Sequence, residues 1–291
     1  MKASFRPGGT RRQHAWIYLI LPTLALLVIF FVAPLFSLFW SSIHVYVPGE
    51  GLKDVFTIAH YAKFVGDSFY LSVMFETLAL GVGVTLATLI LGYPLAYFVA
   101  RTESRRRGLY LGLIIFPLFL NIVVRSFAWI VLLANRGLIN DSLIQLGLVE
   151  RPLRLLYNYF GVVVGMTHVF LPFMVLAVAT TIQNINRDLE DAARSLGANR
   201  FQTFLRVTLP LSLPGVVAGS LLVFLQGITA FVTPRLLGGV TVKVISNLIY
   251  QEFMVTANWS FGAAMGFILL FATLILIVGY FRVFKMSAAR A

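Results

Sequence analysis

The chain has no cysteine in 291 residues, which excludes disulfides, thiol nucleophiles and cysteine-based metal sites. Charge is also scarce: Asp, Glu, Lys and Arg together make up 12% of the residues, about half of the roughly 25% usual in soluble domains. A soluble enzyme is therefore a poor reading. His14, His44, His60 and His168 are dispersed and do not suggest a metal site. No G-x-x-x-x-G-K-[ST] loop is present, nor H-E-x-x-H, nor a Gly-x-Ser-x-Gly nucleophile turn. If the protein works with ATP, another chain must bind the nucleotide. Acids are the rarest charges, 11 against 23 Lys plus Arg, for a net +12. The cations form no continuous stripe of the kind that grips nucleic acid; they cluster between long uncharged runs.

Those runs dominate the sequence. Hydrophobic residues make up 59% of it, including 26 Phe, and mean hydropathy is +0.89. One globular core cannot hide that much apolar surface, so much of it should face lipid. With His counted neutral, the uncharged stretches are 13–49, 77–100, 108–124, 155–186, 207–234 and 253–281. About 20 helical residues cross a hydrocarbon layer of roughly 30 Å. Only the third stretch falls short; it is interrupted by Arg125 and then continues SFAWIVLLAN, which reads as one helix with a buried or snorkelling arginine. The expectation is an all-α, polytopic bundle of six transmembrane helices with cores at 16–40, 71–100, 108–133, 157–180, 212–231 and 261–281. The first is too long for a signal-peptide core and lacks a small-x-small cleavage site, so it reads as retained.

Six spans put both termini on one side. Fifteen cations fall on that side with the 101–107 and 181–211 loops, against seven on the other, with Arg125 the remaining one. Cationic loops stay cytoplasmic, so residues 1–15 read as a cytoplasmic basic arm, 16–282 as the membrane domain and 283–291 as a cytoplasmic tail. Gly108 with Gly112, Gly161 with Gly165, Gly215 with Gly219 and Gly262 with Gly266 have the spacing that lets helix backbones approach in lipid. Pro22, Pro34, Pro94, Pro117 and Pro172 fall within the spans, where each removes a helical hydrogen bond. Such bends suit a transport path better than a rigid anchor.

The loop between spans four and five reads QNINRDLEDAARSLGANRFQTFLRVTLPLSLPG. Asp188 and Asp191 suit an N-cap and its acidic third residue, and Leu189, Ala192, Ala193 and Leu196 recur at i, i+3, i+4 and i+7. Gly197 is placed to end this helix in a left-handed conformation. Asn199 and Gln202 repeat the capping pattern for a second helix that Pro210 should terminate. Two short helices about a glycine also fit a DNA-binding motif, but they are too few for a trihelical core and their acids would face phosphate. An amphipathic hairpin lying on the membrane surface without a partner is the other reading of the residues alone.

Asp191-Ala192-Ala193, then Gly197, then Val207-Thr208-Leu209-Pro210 resemble the EAA loop of the membrane subunits of binding-protein-dependent ABC importers. In that family the pattern is Glu-Ala-Ala, three residues, Gly, nine residues, Ile-x-Leu-Pro. Every spacing matches; Asp191 and Val207 replace the family's glutamate and isoleucine. The segments 123–140, 188–198 and 231–239 resemble the spermidine and putrescine branch. The resemblance implies a bacterial inner-membrane permease, not itself an enzyme, that works with a second homologous permease, two ABC ATPase subunits that bind ATP and magnesium, and an extracytoplasmic solute-binding protein. It also implies that the 189–196 helix docks in a groove of the ATPase. Leu189, Ala192, Ala193 and Leu196 would pack there, with Asp191 and Arg194 as polar contacts, Gly197 setting the turn and Leu209 and Pro210 completing the motif.

Two charges lie within the expected spans, Arg125 about 13 Å and Glu76 about 9 Å from the outer helix ends by helical rise. A lone charge at mid-bilayer costs roughly 2.5–3.5 kcal/mol, and the similar depths suit an ion pair. The alternatives are that Glu76 faces the path and meets a cationic amine, or that the two stay at separate interfacial positions. Tyr93, Tyr97, Phe127 and Trp129 are path candidates by type, since an amine gains roughly 0.5–2 kcal/mol over an aromatic face. A self-contained carrier or channel is the alternative function, but no convincing internal repeat relates the first and last three spans.

Overall fold

A computed structural model of the chain describes residues 15–47, 49–103 and 105–288, with side chains from 20 to 282. His14, the cations of the basic arm and the last residues of the tail lie outside the described residues. The elements in chain order are α1 (Ala15–Leu27), a π turn (Val28–Val32), α2 (Ala33–Ser42), β1 (His44–Val47), β2 (Gly51–Phe56) and α3 (Ala59–Gly66). Then come α4 (Ser68–Arg101), α5 (Arg107–Ile115), a 3-10 turn (Phe116–Phe119), α6 (Ile122–Leu133), α7 (Leu138–Gln145) and α8 (Tyr159–Gln183). The chain continues with α9 (Arg187–Ser195), α10 (Arg200–Thr203), a second π turn (Phe204–Thr208) and α11 (Leu209–Thr229). It ends with α12 (Val232–Gly238), α13 (Ile245–Met254) and α14 (Trp259–Ala288).

Two compact units divide the chain. One runs up to Gly66 and includes Gln251–Ile268; the other comprises Asp67–Tyr250 and the chain from Leu269 onward. In the first, β1 and β2 form an antiparallel ribbon pairing Tyr46 with Leu52 and Val47 with Gly51. Gly49 and Gly51 supply the positive φ of its turn. This ribbon is a small addition to the all-α expectation. Phe64, Phe261 and Met265 are buried in this unit, and the Lys63 ammonium sits 4.3 Å from the centre of the Phe261 ring.

In the second unit α8 is central, packed against both α4 and α11. Leu80 and Val84 of α4, Met166, Met174 and Val178 of α8 and Val223 of α11 form the contiguous core. Thr77 and Thr88 are buried within α4, and each donates its hydroxyl to the carbonyl four residues earlier, while the Thr77 oxygen also accepts the Ile245 N–H of α13 at 3.0 Å. Glycine sets the closest approaches. A Cβ on Gly215 would lie 2.4 Å from Thr181 Oγ1 and 2.9 Å from the Ala177 carbonyl, and one on Gly219 would lie 2.9 Å from Met174 Sδ. Gly165 is covered by Leu237 and Thr233 of α12. Gly108, Gly112 and Gly266 have open space around them, so only part of the glycine spacing marks tight crossings. The outer surface is apolar: Phe75, Ile90, Phe119, Val131 and Ile275 are all exposed, as lipid contact requires.

Six helical segments are long and apolar enough to cross a membrane: Ile20–Ser42, Ser68–Arg101, Ile122–Gln145, Tyr159–Gln183, Arg200–Thr229 and Trp259–Arg282. The number agrees with the sequence reading; two boundaries do not. The expected single helix over 108–133 is broken. Pro117 sits in the first turn of the 3-10 segment, Leu120 is extended, and the Asn121 side chain accepts from the Val123 N–H at 2.8 Å to start α6 afresh. The third span is instead α6 with α7. Pro210 does not end its helix either. The π turn before it lets the Leu209 N–H reach the Phe204 carbonyl, so the missing Pro210 donor is absorbed by a locally widened helix and the run continues into α11.

Candidate functional site

The loop from 181 to 211 folds as a helical hairpin. Asn186 caps α9, accepting from the Asp188 N–H at 3.0 Å. The expected cap, Asp188, is instead in the first turn, where with Glu190 it favourably meets the helix dipole. At the other end Gly197 has φ of 91°. Its N–H donates to the Arg194 carbonyl at 2.9 Å and the Ala198 N–H donates to the Ala193 carbonyl at 3.1 Å, the two crossed bonds of a Schellman end. Asn199 and Gln202 then exchange reciprocal bonds with each other's backbone at 2.8 and 3.0 Å, which starts α10 as the spacing predicts. Leu209 and Pro210 are the first two residues of α11, so the hairpin joins span five without a break.

The orientation of α9 is the reverse of an ordinary surface helix. Leu189 and Leu196 are exposed, Leu196 to 89%, and Ala192 and Asp191 face out with them, while Ala193 is half-buried. Phe201 of α10, which the sequence reading passed over, is exposed on the same loop. One acid points into the protein, while Arg187, Asp188, Asp191 and Arg194 are exposed. Glu190 is 4% exposed. Its Oε1 accepts from Arg101 Nη2 at 2.5 Å and from Thr208 Oγ1 at 2.7 Å, and Arg194 lies 3.9 Å from Oε2. Arg187 pairs with Glu103 and also donates to the Arg101 carbonyl at 3.3 Å. Arg194 lies 3.6 Å from Asp191, so the two polar contacts expected at the docking face form a half-exposed pair with each other. Glu190 was missed because an acid beside another acid in a first helical turn reads as solvated; the i, i+3, i+7 spacing of Arg187, Glu190 and Arg194 was the available signal.

The path candidates do not converge. Glu76 and Tyr93 are about 25 Å apart along α4 by helical rise. The Tyr93 hydroxyl shares a hydrogen bond with Ser212 at 2.8 Å, and the rings of Tyr93 and Tyr97 both meet Phe204 edge-on. Trp129 donates to His168 Nδ1 at 3.2 Å, joining α6 to α8. Phe127 is exposed. Among the described residues Glu76 and Arg125 form no ion pair; the Glu76 backbone carbonyl accepts from the Tyr159 hydroxyl at 2.8 Å. Arg125 is buried in the first turn of α6, and its Nε and Nη1 have no acceptor. Among the described residues no three His, Asp or Glu side chains gather where they could hold a metal ion.

Residues 92–290 match the family described as the binding-protein-dependent transport system inner membrane component. The chain belongs to that family. The permease is 33% identical over 260 residues to the spermidine/putrescine transport system permease protein PotB of Escherichia coli K12, covering 89% of this chain and 94% of that one. It is 36% identical over 230 residues to the PotB protein of Haemophilus influenzae, covering 79% and 80%. In fold it resembles a chain of a bacterial ABC transporter involved in import of the acidic polysaccharide alginate, with a TM-score of 0.72, 19% identity and coverage of 94% and 96%. The permease is thus a multi-pass inner-membrane subunit of an ABC importer, a transport component and not an enzyme. The self-contained carrier or channel is set aside by this membership.

Proposed function

We propose that the permease imports a polyamine, spermidine or putrescine, with a second homologous permease, a pair of ATPase subunits holding ATP and magnesium, and an extracytoplasmic solute-binding protein. Similarity to spermidine/putrescine permeases along nearly nine-tenths of the chain supports the solute class. The observation that carries the coupling role is α9: an apolar stripe turned outward, outside the apolar spans, ending at a left-handed Gly197. An exposed Leu196 and Phe201 beside small Ala192 and Ala193 suit a groove on a partner. Leu189, Asp191 and Arg194 complete that face, and Leu209 and Pro210 carry its displacement into span five. Both termini, the 101–107 turn and the 181–211 hairpin are then cytoplasmic, with residues 1–15 and 283–291 as flanking arms of the membrane domain.

The test is reconstitution of the full importer in vesicles with labelled spermidine. ATP-dependent uptake, competed by putrescine, is the expected result. Ala193→Arg puts a long charge on the half-buried edge of the stripe, and its desolvation opposes docking. This variant should insert normally, lose its ATPase subunits on purification and take up no spermidine. Stoichiometric retention of the ATPase with solute-stimulated hydrolysis would place the docking surface elsewhere.

A further inference from the structure

The buried side of α9 has no assigned role. Its central group is the Glu190 carboxylate, whose single oxygen Oε1 accepts at once from Arg101, the last residue of span two, and from Thr208, at the end of the π turn in the first part of span five. The Arg101 side chain is 14% exposed and also donates from Nη1 to the Ile185 carbonyl at 3.5 Å, just beyond the end of span four. A second tie, Arg187 to Glu103, lies one helical turn earlier. The contacts are directional and charge-assisted, hence short and stiff compared with apolar packing. Breaking one partner of such a buried pair leaves the other charge stranded.

We propose that Glu190 is a positioning residue that locks the coupling helix to the cytoplasmic ends of spans two and five, so that one displacement of α9 moves both spans together. The proposal rests on the reading of α9 as the ATPase-facing helix. The exposed stripe receives the partner and the buried carboxylate hands the motion on. Both spans are held on one oxygen atom, so either can shift relative to α9 only by breaking its own bond to that carboxylate. Apolar side chains on the same face would fill the space equally well but would let the helix slide, since dispersion contacts have no preferred direction.

The experiment uses the reconstituted importer, and the cysteine-free chain takes spin labels at chosen sites only. Labels at the exposed Ser195 with Leu95, and at Ser195 with Leu213, report the separation of α9 from spans two and five. In the wild type both distances should stay within their nucleotide-free distributions when ATP is bound. Glu190→Ala should broaden both, keep the ATPase subunits bound, keep basal ATP hydrolysis, and lower spermidine uptake per ATP about tenfold, an ordinary size for coupling between two sites. Thr208→Val, which removes one bond and no charge, should broaden the span-five distance alone and keeps the test open should Glu190→Ala fail to accumulate. Distances that change with ATP in the wild type overturn the lock, as do Glu190→Ala or Thr208→Val importers with unchanged distances and full uptake per ATP. Loss of the ATPase from Glu190→Ala would make it a docking residue and also overturn the proposal. Failure of the coupling reading itself is seen separately, as ATPase retention by Ala193→Arg.

Discussion

At the scale of single residues, Gly197 is a position where backbone conformation alone dictates the side chain. Its φ of 91° lies in the left-handed region, and no neighbour would touch an added Cβ. Any effect of substitution there comes from the backbone and not from crowding. A β-branched residue resists that conformation by about 1–2 kcal/mol, whereas asparagine tolerates it. Gly197→Val should therefore insert at near-normal level but lose most uptake, because the crossed bonds that end α9 are disrupted, while Gly197→Asn should keep most of it. Uptake normalised to the amount of membrane-inserted protein checks both; equal uptake by the two variants would mean that the turn's handedness is irrelevant to transport.

At the scale of elements, the crossing of α8 and α11 depends on glycine in a way that the Gly108 and Gly112 pair does not. A Cβ at Gly215 would press on the Ala177 carbonyl and the Thr181 side chain, and a backbone atom cannot turn aside. Gly215→Ala should destabilise the protein by about 1–3 kcal/mol, the usual range for overpacking, while Gly108→Ala, with open space around it, should be neutral or slightly stabilising. Thermal unfolding in one detergent compares the two. Spacing identified both pairs as candidates and could not rank them, because what matters is the neighbour, and neighbours come from the tertiary fold. The same limit explains where helix boundaries were legible. Local chemistry wrote the Asn199–Gln202 box and the Gly197 end directly into the sequence. The break at Leu120 was hidden because hydropathy stays high across Pro117 and Asn121, and the continuation through Pro210 was hidden because a π turn leaves no compositional mark. Asp188 displaced Asn186 in the reading since both residues cap well. Glu190 was illegible for a related reason: two adjacent acids look alike until the helix is rotated against the spans, and only then does one become buried.

At the scale of the whole molecule, orientation in the bilayer follows from charge and not from the fold, since the packing of α4, α8 and α11 would be the same either way up. Fifteen Lys and Arg residues fall with the two termini and the 101–107 and 181–211 segments, against seven in the opposite loops. Insertion holds cationic segments on the cytoplasmic side. In the proposed orientation the hairpin that bears the exposed stripe lies on the fifteen-cation side, where ATP is available to a partner, so the charge count and the proposed docking call for the same orientation. The chain's lack of cysteine makes the test clean, because a single introduced thiol is the only reactive group. Ser104→Cys should be shielded from an impermeant maleimide in intact cells and become reactive after permeabilisation. Glu150→Cys, at an exposed position beyond α7, should react in intact cells. If the two patterns were exchanged, the hairpin would face away from cytoplasmic ATP, and both the proposed docking surface on α9 and the proposed lock at Glu190 would be overturned.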